Sequence, residues 1–148
     1  MVGRRFQEVF SQLFGGGTAQ IVLTDPDNIL TGGIDFYIQP PGKKRQQLTL
    51  LSGGERALTV IALLFSFLDY RPAPFCVLDE VDAALDEANV ERFSSYLNRV
   101  NKETQFIVVS HRKKTMEAAE VLQGVTMVER GVSRLLTVSF EDVKEDLA

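Results

Sequence analysis

Two short stretches carry residue types suited to acting on a phosphoanhydride: Leu51-Ser52-Gly53-Gly54-Glu55, then Phe75-Cys76-Val77-Leu78-Asp79-Glu80. Ser52 followed three residues later by Glu55 is a capping box, in which both side chains satisfy backbone donors at the start of a helix. A cap alone does not ask for Gly53-Gly54. The two glycines remove both β-carbons, so another molecule can approach the backbone, while free N–H groups and the dipole of a long helix favour an anion there. That is the pattern of a γ-phosphate sensor. Asp79-Glu80 follows an apolar run directly, at the edge where an open parallel sheet presents its active crevice. Two carboxylates at that edge divide the labour: Asp79 holds Mg2+, usually through water, and Glu80 orients or deprotonates the water that attacks the γ-phosphate. The plainer alternative, an acidic loop capping the next helix, suits Asp82 and Asp86, which fit a helix N-terminus.

His111, the single histidine, follows Phe106-Ile107-Val108-Val109-Ser110, which reads as another buried strand ending on the same edge. An imidazole placed there can donate a hydrogen bond to a phosphate oxygen and help distinguish ATP from ADP. The phosphate-cradling loop G-x-x-x-x-G-K-S/T is absent from the 148 residues. Gly15-Gly16-Gly17 does not supply it, because no Gly-Lys-Ser/Thr follows. Cysteine-histidine zinc spacing is absent too, and neither a Ser-His-Asp nor a Cys-His assignment has independent support. The motifs read as half of an ATP-hydrolysing site, with the grip on the nucleotide coming from elsewhere.

The elements that must position these residues follow from periodicity. Phe6, Val9, Phe10, Leu13 and Phe14 recur at three- and four-residue spacing, which predicts an amphipathic helix stopped by the glycine triplet. Thr18 to Thr24 and Ile34 to Gln39 read as two short antiparallel strands, separated by Asp25-Pro26-Asp27-Asn28 and Gly32-Gly33. From Leu51 to about Asp69 runs a helix that is apolar nearly all round, hence expected to be buried on most sides, and Arg71-Pro72-Ala73-Pro74 closes it. There follow a strand to Leu78, a helix from about Asp86 to Lys102, the strand ending at Ser110 and a short helix near Lys113 to Ala119. Val125 to Glu129 and Arg134 to Phe140 are strand-like, and 141–146 reads as a short surface helix or a tail. Strand, helix, strand with unbroken apolar strands implies a right-handed crossover. The expected class is therefore α/β, a mostly parallel buried sheet flanked by helices, with a small antiparallel unit near the N-terminus.

Composition narrows the setting. A chain of 148 residues fits one domain (1–148) that buries about 68–70% of its unfolded surface. A formal charge of −4 gives no global pull toward nucleic acid or anionic lipid, so DNA contact would be local, and Arg4-Arg5, Lys43-Lys44-Arg45 and Arg112-Lys113-Lys114 are short enough to be solvated. The one cysteine, Cys76, sits in an apolar run and is expected in the core, compatible with a reducing compartment. Ala57 to Leu68 falls short of the ~20 residues that cross a bilayer. The first residues lack a secretory segment and run straight into a helical pattern, so a cytoplasmic chain cut from a longer one is expected, with no membrane partner.

Together, Leu51 to Glu55, Phe75 to Glu80, Ala84-Leu85-Asp86 and Ser110-His111 resemble the signature motif, Walker B, D-loop and switch histidine of ABC-type ATPases. Within that superfamily the chain is most similar to the C-terminal head segment of bacterial structural maintenance of chromosomes (SMC) proteins. The likeness rests on Leu51 to Leu58, Asp79 through Asp86 to Arg92, and Gly124-Val125-Thr126-Met127 leading to Gly131-Val132-Ser133-Arg134-Leu135. It covers essentially the whole chain, with 5–14 corresponding to the end of the returning coiled-coil arm. The resemblance implies chromosome condensation and segregation, a nucleoid-associated location, and ATP with Mg2+ bound jointly with an N-terminal lobe that bears the phosphate loop. It implies that Ser52, Gly53, Gly54 and Glu55 touch the γ-phosphate of ATP held by a second head. Asp79 and Glu80 then act on the nucleotide of their own head, His111 is the switch histidine, and Asp86 helps couple the two sites across the dimer. It further implies a kleisin subunit docked on this lobe, DNA held by the full complex, and no turnover by the lobe alone. Two alternatives remain: a kleisin- or DNA-binding module that needs no nucleotide chemistry, and the head lobe of a related ABC-type DNA-repair ATPase.

Overall fold

A computed structural model describes residues 2–100 and 104–139. Helix α1 (Val2–Phe14) buries Phe6, Val9, Phe10, Leu13 and Phe14, the residues whose spacing predicts it. The glycine triplet ends it with three positive φ angles, and a β-carbon on Gly17 would lie 2.4 Å from the Gln39 carbonyl oxygen, so that turn is closed to side chains. The chain then forms strand β1 (Thr18–Leu23), which pairs antiparallel with β2 (Ile34–Gln39) from Thr18↔Gln39 to Leu23↔Ile34. A two-residue strand, β3 (Gln46–Gln47), adds to the far side of β2. α1 lies on this sheet, with Ala19 and Ile38 buried beneath it.

A short 3-10 turn (Leu48–Leu50) leads into α2 (Gly53–Tyr70), the longest helix among the described residues. Strand β4 (Phe75–Asp79), helix α3 (Glu87–Val100) and strand β5 (Gln105–Val109) form a crossover unit, and the two strands pair in parallel from Phe75↔Gln105 to Asp79↔Val109. Phe65 of α2 ties these pieces together. Its ring lies 4.9 Å from that of Tyr96 and 6.2 Å from that of Phe93, both on α3, and meets Phe106 of β5 edge-on at 5.8 Å. Beyond β5 come the short helix α4 (Lys113–Glu117) and a hairpin of β6 (Val121–Glu129) and β7 (Val132–Ser139), irregular between Met127 and Glu129.

The helices and strands fall close to where periodicity predicts them and the class is mixed α/β, with the expected parallel sheet present in part. The described strands make three separate sheets, and only β4 and β5 run parallel. Parallel neighbours need a long crossover, and the described residues contain one such connection, α3; the β1–β2 and β6–β7 pairs are hairpins. Burial is also one-sided. On β4 and β5 the Leu78, Cys76, Phe106 and Val108 side packs on the core, while Phe75, Val77, Ile107 and Val109 stay 48–59% exposed. α2 likewise leaves Val60, Phe67 and Tyr70 exposed. Cys76 is half-buried rather than deep, and that burial pushes its thiol up. The predicted helix end at Lys102, the predicted strand end at Phe140 and the acidic segment 141–146 lie outside the described residues.

Candidate nucleotide site

The N-terminus of α2 is built by its own side chains. Ser52 Oγ accepts a long bond from the Glu55 amide (3.4 Å), the Ser52 amide donates to Glu55 Oε2 (3.2 Å), and Ser52 Oγ donates to the same oxygen (2.8 Å). Lys43, from the basic loop read as solvated, reaches Glu55 Oε1 at 2.9 Å. Partial burial works to raise the Glu55 carboxyl, but the Lys43 ammonium and the Ser52 hydroxyl and amide outweigh it and hold the group below the ordinary carboxylate range. Glu55 therefore braces the helix start, and Ser52 with Gly53 forms its exposed surface.

The two glycines do different work. A β-carbon on Gly53 would meet nothing within 4 Å, which leaves its backbone open to an approaching molecule. One on Gly54 would lie 3.0 Å from the Ala84 carbonyl oxygen. Gly54 thus lets the helix start press against the loop that follows β4, and two motifs separated in sequence become neighbours.

That loop carries the carboxylates. Asp79 is the last residue of β4 and is exposed; Glu80, next to it, has φ +48° and is the one non-glycine residue with positive φ among those described. Such a conformation persists only where the surroundings enforce it, and it clusters at functional sites. Here the Glu80 amide donates to the Val109 carbonyl oxygen at 2.9 Å, carrying the ladder one step past the strand end. The parallel register then sets Asp79-Glu80 beside Ser110-His111, as the sequence predicts, with His111 exposed. Asp86 opens α3, its Oδ1 accepting from the Asn89 amide at 2.8 Å.

Asp82 departs from expectation. It caps no helix: its side chain is completely buried, and Oδ2 accepts from the hydroxyls of Ser110 (2.6 Å) and Thr115 (2.5 Å). Ser110 Oγ also accepts from the Arg112 amide at 2.9 Å, and the Arg112 guanidinium donates to the Leu85 carbonyl oxygen. Sequence reading missed Thr115 and Arg112 as site residues, and no local pattern marks either.

Exposed carboxylates at 79 and 80 repel a phosphate unless a divalent cation stands between them. Among the described residues no cluster of three or more His, Cys, Asp or Glu side chains forms a self-sufficient metal cage. A Mg2+ ion fits these terms, since it binds through one or two carboxylates and takes its remaining ligands from water and phosphate.

The family model for the RecF/RecN/SMC N terminal domain matches residues 28–134. The chain belongs to this family. Among family relatives it is 63% identical over 140 residues to the chromosome partition protein Smc of Bacillus subtilis, a match covering 95% of this chain and 12% of that protein. Against Smc of Lactiplantibacillus plantarum it is 57% identical over 98% of this chain and 12% of the relative. The chain therefore spans about an eighth of the length of these relatives. Among solved structures it superposes with TM-score 0.91 and 38% identity on the Smc head domain with an extended coiled coil bound to the C-terminal domain of ScpA from Pyrococcus furiosus, covering 99% of this chain and 36% of that one. A chain solved in work on ATP-driven dimerization and DNA stimulated activation of SMC ATPases matches with TM-score 0.86 and 38% identity over 99% of this chain and 88% of that one. The fold is that of SMC head-domain structures.

Proposed function

We propose that the chain is the C-terminal lobe of the ATP-binding and ATP-hydrolysing head of a chromosome-condensing and segregating SMC protein. The observation that carries the reading is the single edge on which Asp79, Glu80 and His111 converge, with the Ser52 helix start pressed against the same loop through Gly54 and Ala84. ATP with Mg2+ binds jointly with an N-terminal lobe that supplies the phosphate loop. Asp79 holds the cation, Glu80 positions the attacking water and takes its proton, and His111 donates to a phosphate oxygen. Ser52, Gly53 and Gly54, braced by Glu55, serve the γ-phosphate on a second head, and Asp86 lies where the two sites meet. The half-bare face of β4 and β5 is the surface the N-terminal lobe covers. Residues 1–148 form one domain with 5–14 as the end of the coiled-coil arm, in a cytoplasmic, nucleoid-associated protein. No helix among the described residues is long and apolar enough to cross a membrane.

Mixing the chain with a separately made N-terminal lobe should restore ATP hydrolysis, and Glu80→Gln should abolish it while favouring an ATP-bound dimer. If the isolated chain hydrolysed ATP at the complemented rate, the split-site reading would be wrong. A second reading, a kleisin-binding module that needs no nucleotide, is favoured by the relatives solved with ScpA domains. Ser52→Arg separates the two, blocking head engagement while leaving kleisin binding intact. DNA would be held by the complete complex.

A further inference from the structure

Four cross-links join the segment after β4 to the segment after β5. The Glu80 amide bonds the Val109 carbonyl oxygen, Asp82 accepts from Ser110 and from Thr115, and Arg112 bonds the Leu85 carbonyl oxygen. His111 lies between Ser110 and Arg112, so its backbone is tied to the carboxylate loop on both sides. From these bonds we infer that Asp82 is a positioning residue, one that holds Glu80 and His111 as a single rigid unit.

Stability alone does not account for Asp82. Its side chain is fully buried, yet among the described residues Oδ1 has no hydrogen-bond partner, and the buried Arg112 Nε of the same network has none either. A half-satisfied buried carboxylate is worse for stability than an apolar side chain of similar size. Natural chains break that rule mainly where a function needs the group. What Asp82 provides that an apolar residue cannot is a directional tie: from two residues downstream of Glu80, one oxygen gathers a hydroxyl from the residue before His111 and another from α4. Water attack and phosphate sensing need Glu80 and His111 at fixed separation, and small displacements of such groups are costly in turnover.

The activity arm of this inference rests on the proposed function; the structural arm does not. Thr115→Val and Ser110→Ala each remove one tie with little change of volume, Asp82→Asn removes the charge, and Thr115→Ser keeps the hydroxyl. In the chain itself, amide hydrogen exchange should rise together over 80–85 and 110–115 in the first three variants, with α2 still protected, and should stay unchanged in Thr115→Ser. In the head reconstituted with its N-terminal lobe, Thr115→Val should lower kcat about tenfold while KM for ATP moves less than about threefold. Exchange rising in only one of the two segments, or kcat unchanged in Thr115→Val, overturns the inference. If Asp82→Asn fails to fold, Thr115→Val and Ser110→Ala decide. A wild-type head that stays inactive on mixing would sink the proposed function, and the exchange comparison would still decide the coupling.

Discussion

Glu80 holds a left-handed backbone that costs a residue with a β-carbon about 1–2 kcal/mol and costs glycine almost nothing. Glu80→Gly should therefore keep or raise the urea midpoint of the chain while the reconstituted head loses hydrolysis. A midpoint that falls would mean the side chain supports the fold. The neighbouring glycines give the opposite contrast. Gly54→Ala drives a β-carbon toward the Ala84 carbonyl oxygen at 3.0 Å and should lower the midpoint, whereas Gly53→Ala meets open space. Gly53→Ala should spare the fold, or stabilise α2 by up to about 1 kcal/mol through helix propensity, yet slow hydrolysis where the γ-phosphate must approach. Equal effects of the two substitutions on both readouts would refute this division. The capping box of Ser52 and Glu55 was legible because its bonds close within three residues. The roles of Gly54 and Asp82 were not, because their partners lie 30 residues away at Ala84 and 28 and 33 residues away at Ser110 and Thr115. Local spacing made Asp82 look like a cap.

At the scale of elements, periodicity gave the helices well, because one apolar stripe reports one buried face. The β4 and β5 sequences are harder to interpret. An unbroken apolar run signals that both faces are to be covered, and it cannot say by what. Here the helices cover one face and leave Phe75, Val77, Ile107 and Val109 on the other. A lysine at an exposed strand position costs within about 1 kcal/mol, so Val77→Lys and Ile107→Lys should fold with melting curves close to wild type. Both should fail to restore ATP hydrolysis when mixed with an N-terminal lobe, because an ammonium would be trapped under its cover. Normal complementation by Val77→Lys would show that the lobe packs elsewhere. Sheet order was less legible than strand position for a related reason. Hairpin connections and a crossover differ in where the chain turns back, and three disconnected sheets leave edges whose partners are not among these residues.

At the scale of the molecule, the proposed division between the α2 start and the β4 edge sets which head each motif serves. Ser52 and Gly53 face outward from a helix start, while Asp79, Glu80 and His111 gather at one sheet edge of the same lobe. In a two-fold dimer each nucleotide then takes its carboxylates from one head and its signature from the other. Heads carrying Ser52→Arg and heads carrying Glu80→Gln should each be inactive alone. When they are mixed in equal amounts, half of the pairs hold one of each; the substituted arginine then meets only one of the two sites, and the other, made from the Glu80 of the first head and the Ser52 of the second, is intact and can engage. The mixture should recover about a quarter of the wild-type rate, by the statistics of random pairing between equivalent partners. Were both motifs to act on the nucleotide of their own head, no pairing would assemble an intact site and the mixture would stay inactive. The control is an equal mixture of wild-type heads with heads that carry both Ser52→Arg and Glu80→Gln. Under the trans arrangement, both of its mixed sites are broken, so the rate then comes from wild-type dimers alone. That control should therefore also give about a quarter of the wild-type rate, whereas sites made within one head would leave every wild-type head active and give about a half.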